Sequence, residues 1–209
     1  MTYIESATRA TRLSLTGRVI NLLPFIERRV QHEQLANERW SFRGSVFDQF
    51  TGAKTVADTR DVNSIFVSLG ANQHVGFRPL IERILEITPP SVDVYFQYGP
   101  TDVRDLSIQG KATMTWQEVH ERSRAADVVI THAGTGSILT TLLASKIPII
   151  VPRSGATGQH VDEHQSDLAA YAQSVGLAIA ISADQLDWSH VLQAAAMELR
   201  KSRVDDELE

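Results

Sequence analysis

The sequence predicts an α/β fold, with a parallel sheet covered by helices on both faces. Short apolar runs rich in β-branched residues alternate with longer segments in which apolar residues recur at helical spacing. Strands separated by helices of this length are typical of parallel sheets. The length of 209 residues suits one domain, or one domain with an appendage.

The alternation of strands and helices begins at Ser64. The predicted strands are Ser64–Ser68, Val92–Tyr98, Ala112–Met114, Val128–Thr131, Ile147–Val151 and Ala178–Ile181. Each is a short apolar run, and turn signals such as Gly99-Pro100 or Pro152 end several of them.

Helices are predicted between these strands from the spacing of apolar residues and from stop signals. The first runs from Phe77 to Ile87 and ends before Pro89-Pro90, because proline cannot continue a helix. The others are a polar helix reaching about Arg124, a helix from about Gly136, Val161–Val175 stopped by Gly176, and Ala183–Arg200.

The first 60 residues follow a different pattern. We predict a helix over Leu13–Arg28, interrupted near Pro24, and short strands at Arg29–His32 and Phe42–Phe47. The small polar segment Thr51–Asn63 is typical of a linker. Residues 1–50 have too few apolar side chains for a core of their own, so the domain proper is predicted to span 64–209.

Composition excludes several classes of protein. Hydrophobic residues make up 43% and charged residues 22% of the chain, as in a globular protein with a core. The net charge of −5 argues against a nucleic-acid surface, and without cysteine there is no disulfide or thiolate chemistry. No apolar run approaches the roughly 18–20 residues that cross a bilayer, and no signal peptide is evident. We therefore expect a soluble, cytoplasmic protein.

The sequence DVVITHAGTGSILTTLL contains the strongest candidate for a binding site. A buried strand leads through His132 and two glycines, Gly134 and Gly136, into the start of a helix. The first turn of a helix has unpaired N–H groups and partial positive charge, so it binds phosphate well. Thr135 and Ser137 add hydroxyl groups. The alternative is a capped strand-to-helix turn without a ligand, and the motif alone leaves both open.

Three polar loops are predicted at one edge of the sheet, at Leu69–Val75, His132–Ser137 and Arg153–His164. Ligands of open parallel sheets bind at the carboxyl ends of the strands, so this convergence favours a ligand site. Gly70 permits a close approach of the backbone to a ligand, although a single glycine at a strand end is a weak signal.

Two histidines lie four residues apart at a predicted helix start, in the sequence HVDEHQ. His160 and His164 would share one face of that helix. A metal site would need a further ligand such as His132, and the spacing does not match a zinc protease, so no metal is expected. Near a phosphate, these histidines and Gln165 would instead hydrogen-bond sugar hydroxyls or phosphate oxygens. A solvated helix start is the remaining alternative.

His132 and Trp116 each have two interpretations. His132 either orients a diphosphate or satisfies backbone groups at its turn. Trp116 either forms an apolar wall for a flat base or packs in the core, the commoner place for tryptophan. No Ser-His-Asp arrangement and no pair of carboxylates at catalytic spacing is evident.

Two longer stretches resemble a known family. ADVVITHAGTGSILTTLLASKIPIIVPR and GQHVDEHQSDLAAYAQSVGLAIAI are similar to the C-terminal, nucleotide-sugar-binding domain of family 28 glycosyltransferases. Within that family the chain resembles the small two-component enzymes of bacterial exopolysaccharide assembly and the eukaryotic N-acetylglucosaminyl transferases acting on dolichol diphosphate sugars. The resemblance implies a Rossmann-like half of a GT-B fold that binds a UDP-sugar.

The resemblance also implies roles for single residues. Gly134, Thr135, Gly136 and Ser137 would hold the diphosphate, and His164 and Gln165 would contact the donor sugar. His160 resembles a histidine of the bacterial branch, and Trp116 falls near the segment that flanks the uracil. Many members carry Glu where this chain has Thr140, so the contact with the ribose hydroxyls would be weaker here.

The N-terminal stretch YIESATRATRLSLTGRVINLLPFIERRVQHEQ resembles the tail of the membrane-associated, acceptor-binding partner of these enzymes. The resemblance implies transfer of a hexosyl unit from UDP to a lipid-diphosphate-linked sugar, with the catalytic base in the acceptor half and no metal cofactor. The chain alone would then be weakly active or inactive, and would lie at the inner face of the membrane through its partner. A non-catalytic nucleotide-sugar module and a UDP-sugar epimerase or hydrolase are the alternatives.

Overall fold

A computed structural model describes residues 1–55, 61–70, 76–153 and 164–201. Its centre is a six-stranded, fully parallel sheet with the order β10-β9-β8-β5-β6-β7. The strands are β5 (Ser64–Ser68), β6 (Asp93–Gln97), β7 (Gln109–Lys111), β8 (Val128–His132), β9 (Ile149–Val151) and β10 (Ile179–Ala180). The predicted fold class is confirmed.

Helices cover both faces of this sheet. They are α2 (Arg78–Ile87), α3 (Trp116–Ala125), α4 (Thr135–Leu143), α5 (His164–Ser174) and α6 (Trp188–Ala195). Alternate residues of a strand point to opposite faces. In β5, Ile65 and Val67 therefore pack with α2 and α6, whereas Phe66 packs towards α3. On the same face as α3, Ile150 packs with α4 and α5.

The start of α3 shows how local sequence places an element near the site. Thr115 caps the helix by accepting a hydrogen bond from the N–H of Glu118, and the Glu118 carboxylate accepts one from the N–H of Thr115. This reciprocal capping satisfies two N–H groups that the helix itself leaves unpaired. Trp116 is consequently fixed as the first residue of α3.

The N-terminal residues form a small second sheet. Its strands β1 (Thr2–Ile4), β2 (Glu27–Val30) and β3 (Ser41–Phe42) are parallel, and helix α1 (Leu15–Ile20) connects the first two. Apolar residues of this segment, Ala7, Phe47 and Phe50, share a core with α4 and α5. The N-terminal segment is therefore packed against the main domain on the face of α5.

Several predicted boundaries were wrong. The strand predicted at Ala112–Met114 lies at Gln109–Lys111, and the helix predicted over Ala183–Arg200 ends at Ala195. It is followed by β11 (Met197–Lys201), which pairs antiparallel with β4 (Phe50–Thr55). Part of the predicted linker thus forms a strand. The local sequence pattern did not predict this strand, because its partner lies at the far end of the chain.

The predicted N-terminal elements are also displaced. Helix α1 covers only Leu15–Ile20 of the predicted Leu13–Arg28, and the two strands lie at Glu27–Val30 and Ser41–Phe42. Asn21 caps the end of α1 well before Pro24. In the parts of the chain that the structure describes, no helix is long and apolar enough to cross a membrane.

Candidate functional site

The carboxyl ends of β5, β8 and β9 lie side by side at one edge of the main sheet. The pairing aligns Ser68 with Thr131 and His132 with Val151. The residues that follow these strands, Leu69–Gly70, Ala133–Gly134 and Pro152–Arg153, are therefore neighbours. Residues 71–75 and 154–163, the rest of two of the predicted loops, lie outside the described residues.

Helix α4 begins at this edge without a side-chain cap. Gly134 is the N-cap and has no side chain to pair with the first N–H groups, which an α-helix leaves free. The first turn holds no acidic residue, and a Cβ built on Gly136 would meet no atom within 4 Å. The helix start is therefore open and carries partial positive charge, as an anion site requires.

The imidazole of His132 lies between two glycines. A Cβ on Gly70 would lie 2.6 Å from its Cε1, and a Cβ on Gly134 would lie 2.4 Å from its Nε2. Gly70 also has φ +76°, a conformation that favours glycine. Both glycines are thus explained by the space that His132 occupies, and Gly70 by its backbone as well.

His132 is electrically neutral at physiological pH. Burial and the nearby positive charge of Arg153 lower its pKa to about 4. Its Nδ1 lies 3.4 Å from the carbonyl oxygen of Ser68, an arrangement that suits donation from Nδ1 and leaves Nε2 as an acceptor. The ring thus contacts a backbone group, one of its two predicted roles, while its orientation of a diphosphate stays a prediction.

Arg153 is the residue of this site that the sequence interpretation did not single out. Its side chain is 6% exposed, and Nη2 donates to the carbonyl oxygen of Leu69 at 2.9 Å. The guanidinium carbon lies 5.5 Å from the centre of the Phe77 ring. Nε is buried and meets no acceptor among the described residues. Its position directly after Pro152, which ends a buried strand, was the sequence feature that could have identified Arg153 as a site residue.

Gln165 lies beside Arg153. Its Oε1 accepts a hydrogen bond from the backbone N–H of Arg153 at 3.1 Å, so the first turn of α5 is tied to the end of β9. The amide nitrogen of Gln165 remains a donor, which suits a sugar hydroxyl. His164 begins α5, but its side chain and all of His160 lie outside the described residues.

Trp116 lies at the same edge of the sheet, as the first residue of α3. It is 62% exposed and therefore not a core residue. Its ring stacks on His120, with centroids 5.2 Å apart and planes inclined by 9°. The exposed ring is available to a planar group, and its contact with a base stays a prediction.

Thr140 faces its own helix. It is buried, and its hydroxyl donates to the carbonyl oxygen of Gly136 at 2.8 Å. This bond lies within the first turns of α4 and uses the hydroxyl proton that Thr140 would otherwise donate to a ribose oxygen. The weak contact of Thr140 with ribose stays a prediction.

The N-terminal segment also reaches the site. Thr8 Oγ1 lies 3.0 Å from Thr135 Oγ1 at the start of α4, and the hydroxyl of Thr11 donates to Asp167 in α5. No local sequence pattern indicated that residues so distant in the chain would meet. The N-terminal segment therefore forms one side of the helix start.

A cleft of about 860 Å³ opens at this edge, between the start of α2 and the ends of β9 and β10. Phe77, Thr101, Arg153 and Asp184 are among the residues that line it. Within the described parts of the chain, no three His, Asp or Glu side chains are arranged to hold a metal ion. The metal alternative involved His160, which lies outside those parts.

Comparison with known proteins gives a family match over more than half of the chain. Residues 64–206 match the sequence profile of the glycosyltransferase family 28 C-terminal domain. No curated protein sequence matched the chain.

Two solved structures share its fold. The glycotransferase of kitacinnamycin superposes with a TM-score of 0.53 at 19% identity, covering 81% of this chain and 45% of that protein. CalG4, the calicheamicin glycosyltransferase, superposes with a TM-score of 0.55 at 19% identity, covering 87% of this chain and 47% of that protein. The chain thus spans about half the length of the proteins that it matches.

Proposed function

Because the chain belongs to the glycosyltransferase family 28 C-terminal domain family, we propose that it binds a UDP-sugar at the carboxyl edge of its sheet. The observation that carries the proposal is the open, uncapped start of α4 at Gly134 and Gly136. In the proposed complex the diphosphate accepts hydrogen bonds from the free N–H groups there. The hydroxyls of Thr135 and Ser137 add further donors.

The other parts of the donor would lie on either side of the diphosphate. We place the uracil against the exposed ring of Trp116, because a flat aromatic surface favours stacking of a base. The hexosyl unit would face the first turn of α5, where Gln165 offers its amide nitrogen. His164 and His160 would complete the sugar contacts, as the family resemblance implies. Thr140 would give at most a weak contact with ribose.

The proposed reaction is transfer of the hexosyl unit from UDP to a hydroxyl of a lipid-diphosphate-linked sugar. Breaking the bond from sugar to phosphate leaves negative charge on UDP, and the N–H groups at the start of α4 would stabilise that charge. The acceptor hydroxyl also needs a base, which we place in an acceptor-binding half. The proposal includes no metal ion.

An acceptor-binding half would pack against the N-terminal sheet. All-parallel sheets normally have both faces covered, yet α1 and the turn after it expose apolar side chains. Leu15, Val19, Leu22 and Phe25 are largely exposed. The matched structures are about twice as long as this chain, which supports a second half that covers this surface. Through that half, the enzyme would act at the inner face of a membrane in exopolysaccharide or glycolipid assembly.

Calorimetric titration of the whole chain tests the donor proposal. UDP and UDP-N-acetylglucosamine should bind, and uridine should bind more weakly, because uridine lacks the diphosphate. Gly134→Val should abolish the difference between UDP and uridine. Absence of UDP binding by the wild-type chain would reject the proposal.

A second measurement addresses catalysis. Incubation with UDP-N-acetylglucosamine alone should release no free sugar, since the chain lacks the proposed base. Rapid release of sugar would favour a hydrolase instead. UDP binding without transfer, after an acceptor half has been shown to associate, would favour a non-catalytic module.

A further inference from the structure

Among the described residues, Arg153 is a buried cation without a counter-ion. Its side chain is 6% exposed, and no carboxylate forms an ion pair with it among the described residues. The one hydrogen bond of its guanidinium within those residues goes to a neutral group, the carbonyl oxygen of Leu69. Its Nε is buried and has no hydrogen-bond partner in the described parts of the chain. An isolated buried charge costs several kcal/mol, so arginine at such a place is normally paired.

Three of the four carboxylates that line the same cleft pair with other arginines: Glu82 with Arg78, Glu86 with Arg83, and Asp102 with Arg104. The fourth, Asp184, forms no ion pair with Arg153 among the described residues. The nearest titratable ring, His132, is neutral at physiological pH and supplies no negative charge. Burial lowers the pKa of Arg153, but an arginine stays protonated at any physiological pH. Among the described residues, nothing therefore neutralises the positive charge of Arg153.

We propose that Arg153 binds a phosphate group of the donor diphosphate, as a second anion contact beside the start of α4. The inference rests on the proposed function. Arg153 follows β9, while Leu69 and His132 stand at the ends of β5 and β8, so the guanidinium lies across the strand ends that lead to Gly70 and Gly134. A guanidinium fork offers two parallel N–H groups to a phosphate, and charge-assisted bonds of this kind are strong.

This assignment gives Arg153 a role in the reaction as well as in binding. Negative charge grows on the diphosphate as the bond to the sugar breaks, and a fixed cation stabilises it more than the starting state. Because the Arg153 side chain is buried, the attraction is stronger than at a surface. Gln165 would hold the arginine in place through its bond to the Arg153 N–H.

Arg153 could contact a phosphate group of either substrate, because the donor and the proposed lipid-linked acceptor each carry a diphosphate. We assign the contact to the donor because Arg153 borders Gly70 and His132. Inorganic pyrophosphate, UDP and uridine distinguish the source, since uridine has no phosphate and pyrophosphate has no nucleoside. If Arg153→Met lost pyrophosphate binding but bound UDP as the wild type does, the donor assignment would be rejected.

The experiment compares Arg153→Met with Arg83→Met in the full chain. Arg83 is a matched control, because it lines the same cleft and likewise donates to a backbone carbonyl, from its Nε to that of Leu186 at 2.7 Å. Unlike Arg153, it pairs with a carboxylate. The affinities for UDP, uridine and inorganic pyrophosphate are measured by calorimetry, and unfolding is followed in urea with and without UDP.

Arg153→Met should weaken UDP binding by roughly 10- to 100-fold, as expected for a lost hydrogen bond to a charged group. Uridine binding should not change, and the ligand-free variant should be as stable as the wild type or more stable. Arg83→Met should bind UDP normally and unfold at lower urea. Arg153→Lys should retain part of the UDP affinity, because it keeps the charge.

Two further results would overturn the inference. Equal UDP affinity of the wild type and Arg153→Met would remove Arg153 from the anion site. A marked loss of stability in ligand-free Arg153→Met, with unchanged UDP binding by the folded fraction, would make Arg153 a structural link to Leu69. If the wild type itself fails to bind UDP, the proposed function fails instead.

Discussion

The ring of His132 occupies the space that a side chain at Gly134 would need. A Cβ at Gly134 would lie 2.4 Å from His132 Nε2, which is closer than real Cβ contacts allow. The φ of Gly134 is −103°, so its backbone does not itself demand glycine. The second glycine of the turn differs, since a Cβ at Gly136 would meet nothing within 4 Å. The two glycines of one motif therefore have different physical reasons.

This difference predicts opposite effects of two alanine substitutions. Gly134→Ala should lower the free energy of unfolding by about 1–3 kcal/mol, because it forces His132 out of its place. Gly136→Ala should leave it unchanged or raise it by about 0.5–1 kcal/mol, since alanine favours the helix. Urea denaturation of both variants measures the difference.

The same pair tests the cause of the effect. In a His132→Ala background, Gly134→Ala should cost less than in the wild type, because the clash is absent. Equal costs in both backgrounds would mean that His132 does not explain Gly134. Gly136→Ala should still weaken UDP binding, since its methyl group would face the proposed diphosphate.

The low pKa of His132 predicts a pH-dependent stability. In the unfolded chain the pKa is about 6.5, whereas burial and Arg153 lower it to about 4 in the folded chain. Between these values the unfolded state binds more protons, so stability is full above pH 6.5 and falls as the pH drops towards 4. The loss from pH 7 to pH 5 should be about 2 kcal/mol.

Urea unfolding at several pH values, compared with His132→Gln, isolates this contribution from those of the other histidines. The variant should lose less stability on acidification than the wild type. In NMR titration, Arg153→Met should raise the pKa of His132, because one cause of its depression is removed. An imidazole that titrates near 6.5 in the wild type would contradict the described environment.

Substitution of Trp116 tests base recognition with little effect on the stability of the fold. Because its side chain is largely exposed, Trp116→Ala should change stability by less than about 0.5 kcal/mol. If the uracil stacks on this ring, the affinity for uridine and UDP should fall by roughly tenfold. Phe25→Ala is a control, since it removes an exposed ring that is far from Trp116 in the sequence and should leave both affinities unchanged. Unaltered uridine binding by Trp116→Ala would place the base elsewhere.

The apolar surface beside α1 predicts self-association of the isolated chain. Leu22 and Phe25 are 79% and 92% exposed, and contiguous exposed apolar groups commonly form contacts. Sedimentation velocity should show an average mass above 23.1 kDa that rises with concentration. Leu22→Glu with Phe25→Glu should restore the monomer and preserve UDP binding. A monomeric wild type would remove the support that this surface lends to the proposed acceptor-binding half.

The central strands of the sheet were predictable because their signal is local. Ser64–Ser68 and Val128–Thr131 are continuous apolar runs, as expected of strands buried on both faces, and both lie where the sequence placed them. The strand β7 lies at the sheet edge, and its residues Gln109–Lys111 carry no apolar pattern. Strand β11 was mistaken for a helix, since its partner β4 lies far away in the chain.

By itself, the sequence determined the α/β class and the glycine turn at the start of α4, and it predicted the carboxyl edge of the sheet as the candidate site. These follow from residue spacing and turn chemistry, which act over a few neighbouring positions. Only the tertiary structure decided that Arg153 is buried beside Leu69, that His132 fills the space between Gly70 and Gly134, and that Thr8 reaches Thr135. Burial and pairing depend on which distant segments meet, and no local pattern contains that information.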